Sequence, residues 1–438
     1  MIRAVGRWDL TALAINGLIG TAIFGLPASA AQFAGAWSPW ACLLCSIIVL
    51  FIVLCFAEAS SLFMGTGGPY LYAREAFGEV TGLAAGWMMW LARVTAFAAN
   101  INLLVSYLGF FSPRFDHSLI RAVFMLLFTG ALAWINIRGV RQGATLGDIL
   151  AAGKLIPMFA FVVIGIFAIE WKLLDLASPP SHVNFGQAVL LYMYAFTGFE
   201  YAAIPASEAI APRKHIPIAM LTALFTAAVL YTGIQFVCVG TLPELIHSQT
   251  AMASAAAQFV GPLGSKIIAL AAVASIAGNL SGMALISPRL TFALADDGLL
   301  PSGLSSIHPK HCTPHISILL YAALTIILGL SGTFVGMVRI SAVARIVPYV
   351  LTCAAVPVLR KKHPNAADRF RLRGGMFIPM LAVALCIWLL AQSAVRDILS
   401  ACVALAAGFA LYGGNLWYKR WRGLSLQKEV KSCDDEDE

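Results

Sequence analysis

Charge is what this chain has least of. Only 11% of its 438 residues are Asp, Glu, Lys or Arg, while 60% are hydrophobic and the mean hydropathy is +0.84. A soluble globular chain carries about 25% charged residues, so the composition excludes a soluble domain and reads as an integral membrane protein. Metal-ligand spacing is missing too. The nine cysteines are scattered, most of them inside apolar segments. Cys42 and Cys45 form a lone CxxC within such a segment and read as buried apolar thiols. The histidines fall mainly in loops, without metal-ligand pairs inside a cavity, which argues against a membrane enzyme; no cofactor is expected. The net charge of +8 does not call for nucleic acid, because basic residues collect on the cytoplasmic loops of multispanning proteins. A signal peptide is also excluded. The first apolar run is too long for one, and Asp9, Asn16 and glycines interrupt it.

What is present is apolar length. Crossing roughly 30 Å of hydrocarbon takes about 20 residues. Twelve segments suffice: 9–31, 39–63, 82–110, 119–137, 146–170, 186–210, 216–241, 266–294, 315–331, 335–359, 375–393 and 396–418. An even number puts both termini on one side. If that side is cytoplasmic, nineteen of the 29 basic residues lie inside. Five lie outside or at outer ends: Arg114, Arg121, Lys172, Lys266 and Arg396. This is the asymmetry expected of cytoplasmic loops. The Lys/Arg run at 360–373 and the polar tail ending at Glu438 read as solvated.

The first segment carries Ile15–Ala28, with Gly17, Gly20, Gly25 and Pro27. Glycine costs about 1 kcal/mol relative to alanine within a helix, and proline about 3. In lipid, broken backbone is tolerated only where it is buried in protein or lines a cavity. A break here therefore points to a ligand. The amides of Thr21, Ala22 and Ile23 would open a half-helix whose dipole favours an anionic group. The same glycines also suit close helix packing. A second break is expected in the sixth segment at Gly198, with Thr197 and Glu200 beside it. Segments one and six each open a five-segment unit, at 1–171 and 172–362, followed by two further segments in 363–420 and a tail, 421–438. Broken helices at matching positions of two halves mark a midplane site. The carbonyls of Tyr194, Ala195 and Phe196 would then accept from a cation.

The intramembrane ionisable residues are functional candidates by default. Lys154 lies a turn or two inside the fifth segment, where it either titrates or reaches to the interface. Glu200 is either a proton acceptor or a carboxylate holding unwound backbone. Glu58, Glu208, Arg93 and Arg289 read as charge networks that lock the cytoplasmic end. Asn102 and Thr197 either line a side-chain pocket or bond to neighbouring helices.

In order along the chain come Ile19-Gly20-Thr21-Ala22-Ile23-Phe24, Glu58, Gly67-Gly68-Pro69-Tyr70 and Phe77-Gly78. Then follow Phe196-Thr197-Gly198-Phe199-Glu200, Ser207-Glu208, Pro212-Arg213-Lys214-His215-Ile216-Pro217, Ser287-Pro288-Arg289 and Asp296-Asp297-Gly298. In this order and spacing the chain resembles the amino acid–polyamine–organocation (APC) transporters over most of its length. The resemblance implies an all-α membrane fold of twelve helices, a LeuT-like 5+5 inverted repeat with two peripheral helices. It implies a secondary active amino acid transporter working by alternating access. Its substrate site would be Ile19, Gly20, Thr21, Ala22, Ile23, Tyr194, Ala195, Phe196, Thr197, Gly198 and Asn102, with Tyr194 an aromatic gate. Lys154 would stand where sodium-coupled relatives bind sodium, beside Ser275 and the carbonyls of Asn16 and Gly17. That implies proton coupling, with Glu200 the other candidate.

Two positions depart from the family pattern. Ala22 stands in place of a glycine and narrows the approach, and Ala211 replaces an asparagine. The 111–118 loop lacks the cysteine that family light chains use to bind a heavy chain, so no disulfide-linked partner is expected. Expected partners are an amino acid, protons and the bilayer, as monomer or homodimer in the plasma (inner) membrane. Small residues (Ala22, Ala98, Ala99) tilt the substrate toward neutral L-amino acids. Exchange, export, cationic amino acids or polyamines, and a transporter-like nutrient receptor are the alternatives.

Overall fold

The computed structural model describes residues 6–63, 68–139, 155–203, 210–364, 370–372 and 374–422. Among them every regular element is helical. Helices occupy the apolar runs, and glycine and proline punctuate them. α1 (Arg7–Leu18) and α2 (Ala22–Ala34) share the first run. α3 (Ser38–Leu62) follows, with Pro39 in the first turn, where no intrahelical amide is lost. The nine-residue α4 (Pro69–Phe77) ends at Gly78, whose φ of +98° turns the chain into α5 (Glu79–Phe111). At 33 residues and 1.5 Å per residue, α5 is about 50 Å long, more than the hydrocarbon thickness.

The remaining helices are α6 (Ser118–Ile137), α7 (Leu155–Ala168), α8 (His182–Ala195), α9 (Pro212–Thr241) and α10 (Ala251–Phe259). Then come α11 (Pro262–Asp296), α12 (His315–Ser331), α13 (Phe334–Lys362), α14 (Phe377–Ala391) and α15 (Val395–Arg422). Among the described residues seven helical stretches are long and apolar enough to cross a membrane, and three shorter apolar helices accompany them.

The outer surface carries large apolar side chains: Leu127 is 65% exposed, Phe225 72% and Val403 69%. Water would penalise such a surface by about 25 cal/mol per Å², and lipid does not. The chain is a multi-pass membrane protein. α6 and α15 are mostly exposed, whereas α5 is mostly buried.

Most of the helices fall into two packed groups. α1, α2, α3, α8 and α9 pack on one another. So do α5, α6, α11 and α12. α13 lies against α5 and also touches α3 and α8. α4 packs on α5 and α13, and α10 on α9 and α11. The seam between the groups holds the site.

Candidate binding site at two facing helix breaks

α1 stops at Leu18. Ile19 N–H still reaches Ile15 O at 2.7 Å, but Gly20 N–H turns to Leu18 O at 2.9 Å, and α2 restarts at Ala22. Phe24 N–H bonds Thr21 O. The first amides of a helix have no intrahelical acceptor, so Ala22 and Ile23 present theirs at the break. The freed carbonyls are caught by distant side chains. Tyr231 donates to Leu18 O at 2.7 Å and Ser275 to Gly20 O at 3.5 Å. Further along α2, Tyr107 donates to Phe24 O, and the fully buried Gln235 to Pro27 O.

The second break follows α8. Phe196 caps the helix, Gly198 takes φ +109°, and a 3-10 turn runs Phe199–Ala203. The last carbonyls of a helix are open for the same reason as the first amides. That of Tyr194 is already taken by the Thr197 hydroxyl at 2.8 Å, which leaves Ala195 and Phe196. The two breaks touch through backbone. A Cβ on Gly198 would overlap Gly17 O, and one on Gly17 would lie 2.8 Å from Gly198 O and overlap the Tyr201 ring. Glycine is required at both because nothing larger lets the strands approach.

Between them lies a cavity of about 30 Å³, lined by Gly17, Leu18, Gly20, Thr21, Ala22, Ala96, Asn100, Tyr194, Ala195, Thr197, Gly198, Tyr201, Asn279, Met283 and Arg345. That is room for about two waters, so the site is contracted in this conformation. One polar network spans it. Asn100 Oδ1 accepts from Thr21 Oγ and from the Tyr194 hydroxyl, both at 2.6 Å, and Asn100 Nδ2 donates to Asn279 Oδ1 at 3.1 Å. This network ties α2 and α8 to α5 and α11, across the seam.

Arg345, from α13, reaches the cavity wall and pairs with Glu200 at 3.0 Å; both side chains are 4% exposed. Glu200 also accepts from Gly198 N–H at 2.9 Å and from the Tyr349 hydroxyl at 3.5 Å. The carboxylate therefore holds the unwound glycine in place. Arg345 Nε has no protein partner among the described residues. Below the pair the rings of Phe56, Phe199 and Tyr349 pack edge-on or tilted, with centroids 5.1–5.6 Å apart. Further out, Arg360 grips Glu58 with Nε at 2.6 Å and Nη2 at 2.7 Å, and Leu372 N–H adds a third bond. Arg360 was expected in a solvated basic run. Its side chain is instead 11% exposed, because the apolar end of α3 leaves Glu58 buried and in need of a cation.

The sequence-read residues fall into three sets. Gly17, Gly20, Thr21, Ala22, Tyr194, Ala195, Thr197 and Gly198 line the cavity; Ile19, Ile23 and Phe196 are fully buried in the same breaks. Asn16 is half-buried at the end of α1, and Ser275 bonds Gly20 O. Asn102 lies elsewhere: it binds Ala98 O and Gly329 O and lines a different cavity. Arg289 bonds its own helix at Leu285 O. Lys154 and Glu208 lie outside the described residues. Sequence reasoning missed Asn100, Asn279 and Arg345. Arg345 carried a signal, being an ionisable residue within an apolar segment. The asparagines carried none that separates them from Asn102.

The match to known proteins covers nearly the whole chain. The family model described as amino acid permease matches residues 5–412. The serine/threonine exchanger SteT of Bacillus subtilis (strain 168) is 28% identical over 418 residues, covering 93% of this chain and 95% of that protein. The branched-chain amino acid permease BcaP of the same organism is 25% identical, covering 94% and 92%. The methylthioribose transporter, also from B. subtilis, is 27% identical, covering 94% and 93%. By this match over residues 5–412, the chain belongs to the amino acid permease family.

Proposed function

We propose that this protein is a secondary active transporter of small neutral L-amino acids, working by alternating access around the contracted cavity. One observation carries the reading. Two helix breaks of opposite polarity meet there: α2 offers its first amides and α8 its last carbonyls. A zwitterion carries a carboxylate for the first and an ammonium for the second. In this reading the chain has twelve spans in a 5+5 inverted repeat. The packing supports that. α3 lies on α8 as α9 lies on α1, and α4 on α5 as α10 on α11.

The lining narrows the substrate. Asn100, Asn279 and Thr21 face the cavity, and Arg345 adds an Nε–H with no partner among the described residues. Buried polar groups reject a ligand that leaves them unpaired. This favours a side chain with a hydroxyl over a branched aliphatic one. SteT, by its name a serine/threonine exchanger, fits that preference better than BcaP. Lys154 remains the proposed coupling residue, since Glu200 is engaged by Arg345, Tyr349 and Gly198.

The test is uptake into proteoliposomes of labelled serine, threonine and leucine, with and without a proton gradient, in empty and preloaded vesicles. Gradient-driven accumulation of serine or threonine that Lys154→Ala abolishes supports the full reading. Uptake only into preloaded vesicles makes the protein an exchanger and removes the coupling role from Lys154. Transport of leucine alone sinks the substrate assignment.

A further inference from the structure

A second cavity, about 300 Å³, lies at the end of the bundle opposite Arg360. It sits among α5, the start of α6 and the turn between α12 and α13. It is far larger than the central one, and small-molecule pockets begin at about this size.

One wall is polar and cationic. Asn102, 6% exposed, spends its amide N–H groups on Ala98 O and Gly329 O, each at 2.9 Å. Its oxygen receives Arg121 Nη2 at a long 3.4 Å. Among the described residues Arg121 has no carboxylate partner, so most of its five donors are free. Arg121 sits in the first turn of the 20-residue α6, and Ser118, whose amide is the first free donor of that helix, also lines the cavity near the positive end of the dipole. The rest of the lining includes the apolar side chains of Met125, Leu330 and Phe334. Guanidinium, a helix amide and apolar lining together suit a small carboxylate bearing a compact side chain.

We propose that this cavity is a second binding site for a small carboxylate, and that its occupant is the amino acid the protein carries. This rests on reading the chain as an amino acid transporter. The site communicates with the first. A Cβ on Gly25 would lie 2.5 Å from Phe334 Cζ and 2.9 Å from Leu103 Cδ1. The Phe334 ring thus fills the notch that Gly25 leaves in α2, whose first amides open the central site. A ligand against Phe334 holds α2 in its present place.

The experiment is equilibrium dialysis of the purified full chain in lipid nanodiscs against labelled L-serine, L-threonine and L-leucine. The wild type is expected to bind about two molecules per chain of at least one of them. Arg121→Gln, which removes the charge, and Ala122→Phe, which fills the cavity, are each expected to bind about one. Two variants acting by different means keep a single folding failure from deciding. Binding of one molecule in the wild type, unchanged by Arg121→Gln, overturns the proposal. So does one molecule together with a phospholipid, seen by native mass spectrometry, that Arg121→Gln sheds; the anion would then be a headgroup phosphate. No binding across the panel overturns the transporter reading itself, a result distinguishable from the loss of the second site alone.

Discussion

At the residue scale, Arg345 and Glu200 are the sharpest commitment in the molecule. Both are 4% exposed and 3.0 Å apart. Removing one member of a buried ion pair strands the other charge and costs about 3–5 kcal/mol, whereas replacing both with uncharged groups is often near neutral. Glu200→Gln keeps an oxygen for Gly198 N–H and removes only the charge. We expect Glu200→Gln alone to lower the thermal unfolding temperature in detergent sharply. The double variant Glu200→Gln with Arg345→Met should recover most of that loss. If the double variant is as unstable as the two singles added together, the pair is not coupled and the structural role given to Glu200 fails. The Glu200 alternatives left open by sequence could not be narrowed without its partner, 145 positions away. The glycines were legible because their cost in a helix is local. The reason for that cost was not, since Gly17 meets Gly198 only in space.

At the element scale, a clamp joins helices at the end of the bundle that holds Arg360. Glu58 lies about one turn before the end of α3, α13 supplies Arg360, and Leu372 N–H bonds the same carboxylate. A second tie links α4 to the end of α11: Tyr70 donates to Asp297 at 2.7 Å, and Arg74 pairs with Asp297 at 3.3 Å. From sequence, Glu58 falls in a charge network at this end and Arg360 in a solvated run. The pattern of charge along a run does not say which cation turns inward. The clamp has a built-in reporter. Cys55 lies on α3 one turn before Glu58, and Cys55, Cys353 and Cys386 are all buried behind it. Glu58→Gln keeps a hydrogen-bond acceptor for Leu372 N–H and loses the ion pair. In a background with Cys312, Cys402 and Cys433 changed to serine, we expect maleimide labelling to be several-fold faster in Glu58→Gln than in the parent. Equal rates would mean that the clamp does not hold this end shut, and that the aromatic layer of Phe56, Phe199 and Tyr349 does.

At the scale of the whole molecule, the two helix groups and their seam decide how the site can work. That the chain crosses a membrane in apolar helices was legible, because hydrocarbon thickness sets a length that only long apolar runs meet. The grouping was not, because it depends on which apolar faces pack together, and nearly every face is apolar. A cavity of about 30 Å³ cannot admit an amino acid without movement of its walls, and a shift of one group against the other would supply it. The Asn100 network crosses the seam, so in the proposed reading a ligand there would bear directly on the shift. Rotation about a central site opens one end as it closes the other. Lys214 on α9 and Val80 on α5 are exposed at the end near the clamp, on opposite groups. Trp40 on α3 and Leu119 on α6 are exposed at the far end, again on opposite groups. Spin labels at these two pairs report both ends by pulsed electron resonance. On adding transported substrate the two distances are expected to change in opposite senses. Changes of the same sense would indicate that the molecule swells rather than rocks. No change at either end would mean that the groups form one rigid body, and alternating access would then have to come from local movement at the breaks alone.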